Sequence, residues 1–343
     1  MKSISKAEKK VQQFESSSGA RIFQIPLEIF PGFWGHAYIV MLNDYRVMID
    51  VGSGFGKSND HLESGLAIVN QDLQESINFS DLTHILITHG HIDHFGGLSY
   101  LKERTQAKIG VHELDVRNLT NYEERLAVVA LHLDDFLVEA GVPEARRSEL
   151  IQLYKLTKLS YYSVSADITF HGERMRLGPF EIIHVPGHCA GHVVLRLDDV
   201  LFSGDHILGG ISPHQAPESL TLSTGLGHYL DSLDSMRPWA DEIRLTLGGH
   251  NELITDLTRR VGEIKHLHEQ RLEHVLDLLR EPHTIREISK HLFGKVRNYN
   301  VLLALEEAGA HVEYLYQRGL LSIANLSDYE SRNGSIPIIY HRL

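Results

Sequence analysis

The chain has 343 residues, a formal net charge of −12 and a sequence pI near 6.0. Its 42% hydrophobic and 23% charged content is that of an ordinary globular protein, and the acidic balance works against adhesion to nucleic acid or an anionic membrane. Its one cysteine, Cys189, excludes an intrachain disulfide; no run of about 18 apolar residues predicts a membrane span, and no signal-type apolar run opens the chain, so a cytoplasmic setting is expected.

Residues 1–20 end in SSSG and read as a mobile tail. RIFQIPLEIF, HAYIVMLN and YRVMIDVG then predict strands joined by tight turns, with Asn43-Asp44 as a hairpin signal. HLESGLAIVNQDLQ predicts a helix, LTHILIT (82–88) a buried strand and LSYLKER another helix. Residues 113–165 are rich in Leu, Glu and Arg at helical spacing, broken by GVPEA, and predict an inserted pair of helices. Strand patterns return in FHGERMRLGPFEIIHVPG, HVVLRLDDVLFSGD and IRLTLGGH, and after 252 the pattern is mostly helical to about 320.

Several apolar runs end in a residue able to bind metal. YRVMID ends at Asp50, LTHILIT leads into His89 and His91, EIIHVPGH ends at His188, VLFSGD at Asp205 and IRLTLGGH at His250. Strands ending this way deliver their last side chains to one rim of a sheet. His89 and His91, two apart in an extended segment, project to one side and can share an ion. Asp93 and His94 fall where the next helix begins and can turn toward a second one, while Gly96 and Gly97 let that helix approach closely. Histidine and carboxylate donors without thiolate suit zinc, with iron or manganese as alternatives.

The motifs HGHIDH, PGH, SGD and GGH, in this order over about residues 21–255, resemble those of the metallo-β-lactamase superfamily of binuclear metallohydrolases. The resemblance implies an α/β fold, a four-layer αβ/βα sandwich with two metals at one rim. It assigns His89, His91 and His188 to a first zinc ion, Asp93, His94 and His250 to a second, Asp205 to a bridging position, and Asp50 to bracing the histidine loop. Two positions depart from the family pattern: Gly-Gly-His-Asn (248–251) replaces Pro-Gly-His-Gly, and Cys189 stands where threonine usually follows the histidine. The expected domains are the tail, a catalytic domain over 21–258 carrying the 113–165 insert above the metal rim, and a C-terminal domain over 259–343.

That last segment carries the capping-box signature Thr284-Ile285-Arg286-Glu287, then a long helix, a glycine turn and a short strand, and resembles a winged helix. Residues 261–343 hold 10 Lys+Arg against 11 Asp+Glu, which favours a packing or dimerisation module over a nucleic-acid reader. The expected activity is hydrolysis of an ester-like carbonyl in a small-molecule substrate (thioester, lactone or ester) by a hydroxide held between two zinc ions, with Asp93 and Asp205 as catalytic carboxylates. The alternatives are a lactamase-like ribonuclease and a mononuclear iron persulfide dioxygenase. Further candidates are Cys189 as a redox thiol or a buried filler, His206 as a donor behind Asp205, His36 and His214 on loops bordering the rim, and Tyr161 or Tyr162 as a phenol for the oxyanion or for packing. His266, His268 and His274 read as a solvated helix face.

Overall fold

The structure is a computed structural model that describes residues 10–156 and 161–343. Seven strands form the first sheet in chain order: β1 (Gln12–Glu15), β2 (Arg21–Phe30), β3 (Phe33–Leu42), β4 (Tyr45–Ile49), β5 (His84–Leu86), β6 (Lys108–His112) and β7 (Ile168–Phe170). The first four are an antiparallel meander, because tight turns join them; Asn43, predicted as a turn residue, has φ 49°. From β4 to β7 the pairing is parallel, which demands crossovers. The helix Ser58–Gln71 fills the first, and Ile92–Phe95 with Leu98–Lys102 the second. The 82–88 run narrows to the three residues of β5, since its last residues leave the ladder to reach the histidines.

The second sheet runs β12 (Leu245–Gly248), β11 (Val200–Gly204), β10 (Val193–Leu197), β9 (Phe180–His184) and β8 (Arg174–Leu177). Ile22, Tyr38, Val40, Val47 and Ile49 of the first sheet pack with Phe180, Ile182, Leu195, Phe202 and Leu247 of the second in one dry layer. The opposite face of the first sheet, including Phe23, Ile25, Leu27, Ile39 and Ile85, buries Leu62, Leu66, Val69, Leu98 and Leu101 of the crossover helices. In β10, β11 and β12 residues of both parities are buried, so the second sheet is covered on both faces too. This is the α/β four-layer sandwich, with a helical C-terminal region.

One correction concerns the tail. Residues 12–15 form an edge strand paired with β2, and Ser16 donates to Asp198 at 2.9 Å. Residues 1–9 lie outside the described residues.

The chain divides into two compact units rather than at a single boundary near 258. Among the described residues the first comprises 10–122, 161–213 and 233–261; the second comprises 123–156, 214–232 and 262–343. The predicted insert helices appear as Tyr122–Glu139 and Glu144–Leu156. Their Leu133, Leu137 and Leu150 share a core with Val275 and Leu279 of the Leu257–Leu278 helix and its end, Ile285 and Ile288 of Ile285–Phe293, and Leu302, Leu305 and Val312 of Asn300–Gln317. The capping box forms: Thr284 Oγ1 accepts from the Glu287 amide, and Glu287 Oε2 accepts from the Thr284 amide at 2.8 Å. A pair of short strands, β13 (Leu321–Ile323) and β14 (Tyr340–Arg342), completes this unit. Among the described residues no helix is long and apolar enough to cross a membrane.

Candidate metal centre

The strand ends converge in the first unit. Ligand atoms of His89, His91 and His188 lie within 4.8 Å of one another, and so do those of Asp93, His94 and His250. Asp205 stands between the two sets. Its Oδ2 is 3.2 Å from His250 Nε2 and 3.9 Å from His188 Nε2, and its Oδ1 is 3.4 Å from His94 Nε2. Asp93 Oδ2 lies 3.4 Å from His250 Nε2. All seven predicted residues therefore meet, and His89 also groups with His94 and Asp205.

Local structure aims each of them. At the end of β11 the register shifts between Phe202 and Gly204, whose φ is 48°, and this irregularity turns Asp205 out of the ladder. Gly249 has no side chain where a Cβ would collide with Asp205 Oδ1 and sit 2.5 Å from His94 Cε1. Asn251, at φ 60°, explains one departure from the family motif: the residue after His250 needs a left-handed backbone, and asparagine is the next best residue to glycine there.

A surrounding layer fixes which ring nitrogen of His89, His94 and His250 faces the centre. Asp50, 2% exposed, accepts from the Thr88 amide, from Thr88 Oγ1 and from His94 Nδ1, each at 2.8 Å. Because Thr88 Oγ1 donates to Asp50, it accepts from His89 Nδ1 at 3.1 Å, leaving His89 Nε2 toward His91 Nδ1, 3.1 Å away. Two ligands about 2.0–2.1 Å from one tetrahedral ion lie about 3.3 Å apart, so this spacing fits a shared cation. His250 Nδ1 donates to the Trp34 carbonyl at 2.9 Å, which frees Nε2. Tyr38 donates to the Gly248 carbonyl at 2.5 Å, and His36 Nδ1 lies 3.3 Å from the same oxygen, so His36 supports the His250 loop from behind.

The electrostatics also fit a cation. Burial works to raise the pKa of Asp93 and Asp205, but the neighbouring His94 and His250 outweigh it and hold both carboxyls below the usual range. Burial works to lower His250, but Asp205 and Asp93 push it up to about 10; Asp205, Asp50 and Asp93 likewise raise His94. The carboxylates thus draw positive charge into a buried place. His94 Nε2 and Asp205 Oδ1 are buried without a hydrogen-bond partner among the described residues, an arrangement that a bound divalent ion resolves. The His/Asp clusters are able to hold a metal ion.

Other candidates fall elsewhere. Tyr161 is buried against Phe95 and Tyr122 with its hydroxyl on the Leu119 carbonyl, and Tyr162 is 77% exposed. Cys189 is buried with its thiol 3.3 Å from Asp115 Oδ2; burial, then that carboxylate, pushes the thiol up, so it is an inert filler rather than a reactive group. His206 is fully buried, with its ring 5.9 Å from that of His192. His214 lies in the second unit, where it pairs with Glu306 at 2.9 Å and Glu307 at 3.4 Å. The solvated-face reading fails for His268, which is wholly buried with Nδ1 3.1 Å from His311 Nε2; His266 and His274 are exposed. His268, Glu307 and His311 also lie close enough together for metal ligation, but Glu307 Oε1 is already taken by the Arg271 guanidinium at 2.7 Å.

Two residues were missed. His192 stacks on His89 at 4.6 Å and accepts from the Asp205 amide at 3.0 Å; its only sequence signal is a position four residues beyond His188. Asp115 joins the two histidine loops, and nothing in its local sequence marks it.

The metallo-beta-lactamase superfamily model matches residues 32–266. The chain is similar to the probable metallo-hydrolase YqjP of Bacillus subtilis, at 24% identity over 79% of this chain and 85% of that one. It is also similar to the hydroxyacylglutathione hydrolase GloC of Haemophilus influenzae, at 28% identity over 51% of this chain and 71% of that one. Among solved structures, a metallo-beta-lactamase family protein from Thermus thermophilus superposes with a TM-score of 0.74 at 27% identity, covering 94% of this chain and 98% of that one. Residues of the required types at the strand ends, the sandwich that presents them and a family match over most of the chain lead to one conclusion: this protein is a metallo-hydrolase belonging to the metallo-β-lactamase superfamily.

Proposed function

We propose that the protein hydrolyses a small substrate at an ester-like carbonyl, in a thioester, lactone or ester, with two zinc ions. His89, His91 and His188 would hold one ion, Asp93, His94 and His250 the other, with Asp205 between them. The observation that carries this reading is Asp205, which faces His188 with the same oxygen that faces His250, while its other oxygen faces His94. An all-nitrogen and oxygen donor set suits zinc ahead of iron or manganese. When bound, such ions supply Lewis-acid chemistry, acidifying water and polarising a carbonyl oxygen. Asp205 and its neighbours fix where that chemistry occurs. Asp93, partly exposed and held ionised, has a carboxylate oxygen available to orient water and pass its proton to the leaving group. The name of GloC supports a carbonyl substrate, since a hydroxyacylglutathione is a thioester.

The near-neutral charge of 261–343 supports reading 259–343 as a winged-helix-like packing or dimerisation module of a cytoplasmic enzyme rather than a nucleic-acid reader. The test is a hydrolysis screen of the zinc-loaded full chain over thioesters, lactones, phosphodiesters and RNA. Carbonyl hydrolysis lost in Asp205→Asn is expected. RNA cleavage abolished by His89→Ala, with no carbonyl hydrolysis, overturns the reading, as does one iron per chain without zinc.

A further inference from the structure

Besides Asp50, which braces Thr88 and His94, the first unit contains a second buried carboxylate that the proposed reaction does not use. Asp115 closes the short turn Glu113–Asp115 after β6 and is 1% exposed. It occupies the N-cap of the Val116–Thr120 helix, where aspartate ordinarily accepts from the first helical amides, yet it makes no such bond. Its oxygens face two loops instead. Oδ2 accepts from the Gly90 amide at 2.7 Å, Gly191 packs directly against the same carboxylate, and the Cys189 thiol lies 3.3 and 3.4 Å from its two oxygens. Asn118 Nδ2 donates to Oδ1 at 3.2 Å and steadies the group from its own helix.

The positions of those groups matter. Gly90 lies between His89 and His91, and Cys189 and Gly191 closely follow His188. Both glycines have ordinary backbone angles, so no turn requires them. Space does. A Cβ on Gly191 would stand 2.6 Å from Asp115 Cγ; one on Gly90 would overlap Asn118 Nδ2 and stand 2.9 Å from Asp115 Cγ. Two separate loops have therefore given up side chains to close on one carboxylate. These contacts go to the His89–His91 and His188 loops and to its own helix, not to Asp93, His94 or His250.

We infer that Asp115 is a positioning residue that ties the His89–His91 loop to the His188 loop, so that this triad is assembled before a metal arrives. The inference rests on the assignment of that triad to one ion in the proposed function. Removing a group that orients metal ligands costs about 10–100-fold in affinity. The effect here should be confined to one of the two sites.

The test uses zinc titration of the full chain against a competing chelator. In a His250→Ala background, which leaves the first triad intact, adding Asp115→Asn should weaken zinc binding about 10–100-fold. In a His188→Ala background the same substitution should leave zinc binding at the remaining site unchanged. Equal weakening in both backgrounds, or in neither, overturns the inference, because a general structural role would not select one site. A second measurement needs no variant: in the metal-free wild-type protein the Gly90 amide should be protected from hydrogen exchange. Free exchange at that amide until zinc is added also overturns it. If the wild-type chain takes up no zinc, the functional reading fails, while the exchange measurement still decides whether Asp115 holds the His89–His91 loop.

Discussion

Replacing Asp50 by alanine tests the layer behind the candidate metal-binding histidines. The substitution strands three buried donors at once: the Thr88 amide, the Thr88 hydroxyl and His94 Nδ1. A buried donor left unpaired costs about 1–3 kcal/mol, so the loss is roughly 3–9 kcal/mol. Asp50 also sits at φ 54°, where alanine adds about 1–2 kcal/mol of strain. Against a typical total of about 5–15 kcal/mol, Asp50→Ala should remove most of the stability of the first unit. Asp50→Asn tolerates the left-handed backbone, keeps one acceptor oxygen and should cost only about 1–3 kcal/mol. Trp34 and Trp239 are the only tryptophans and both lie in the unit that contains Asp50, so urea unfolding of metal-free protein followed by tryptophan fluorescence isolates the effect. An alanine variant within about 1 kcal/mol of wild type would refute the claim that this carboxylate is a structural keystone of the histidine loop.

Three further outcomes follow from particular residues. In the second unit burial works to lower the pKa of His214, but its bonds to Glu306 and Glu307 push it up to about 9, above its unfolded value of 6.5. Its stabilising contribution is therefore complete below pH 6.5 and lost as pH rises through about 9, at most about 3 kcal/mol; hydrogen exchange over 262–343 should quicken across that window in wild type and stay flatter in His214→Gln. Asn251→Gly should leave the melting temperature nearly unchanged, whereas Asn251→Ala, forced to φ 60°, should cost about 1–2 kcal/mol by denaturant titration. Cys189 should resist a thiol-specific reagent in the native protein and react fully once the chain is unfolded in denaturant.

The candidate site was legible because its residues follow apolar runs: Asp205 closes VLFSGD, His250 closes IRLTLGGH, and a strand end has few places to go. The strands were legible through turn residues such as Asn43 that separate β-branched runs, whereas the four-layer sandwich followed only from the resemblance of the motif set. Asp115 was hidden because its partners Gly90 and Gly191 lie 25 and 76 positions away in the chain, and only packing brings them to it. His268 did carry a signal: it falls on the buried row Val261, Ile264, His268, Val275 and Leu279, a helical period that outweighs the histidine's polarity. The edge strand Gln12–Glu15 looked like a tail because it is polar and only half buried, so no alternation of apolar residues announced it.

The three-segment make-up of the second unit bears on deletion mapping. Among the described residues the polypeptide passes between the units at 122/123, 213/214, 232/233 and 261/262. Cutting the gene after the last of these points would not liberate a trimmed enzyme. It would strip Val275, Leu279, Leu302 and Leu305 from Leu133, Leu137 and Leu150, leaving an oily helical hairpin in water on an otherwise intact sandwich. Clumping of such a fragment, or its loss of activity, would then report a bared core and say nothing about a catalytic duty for the missing residues.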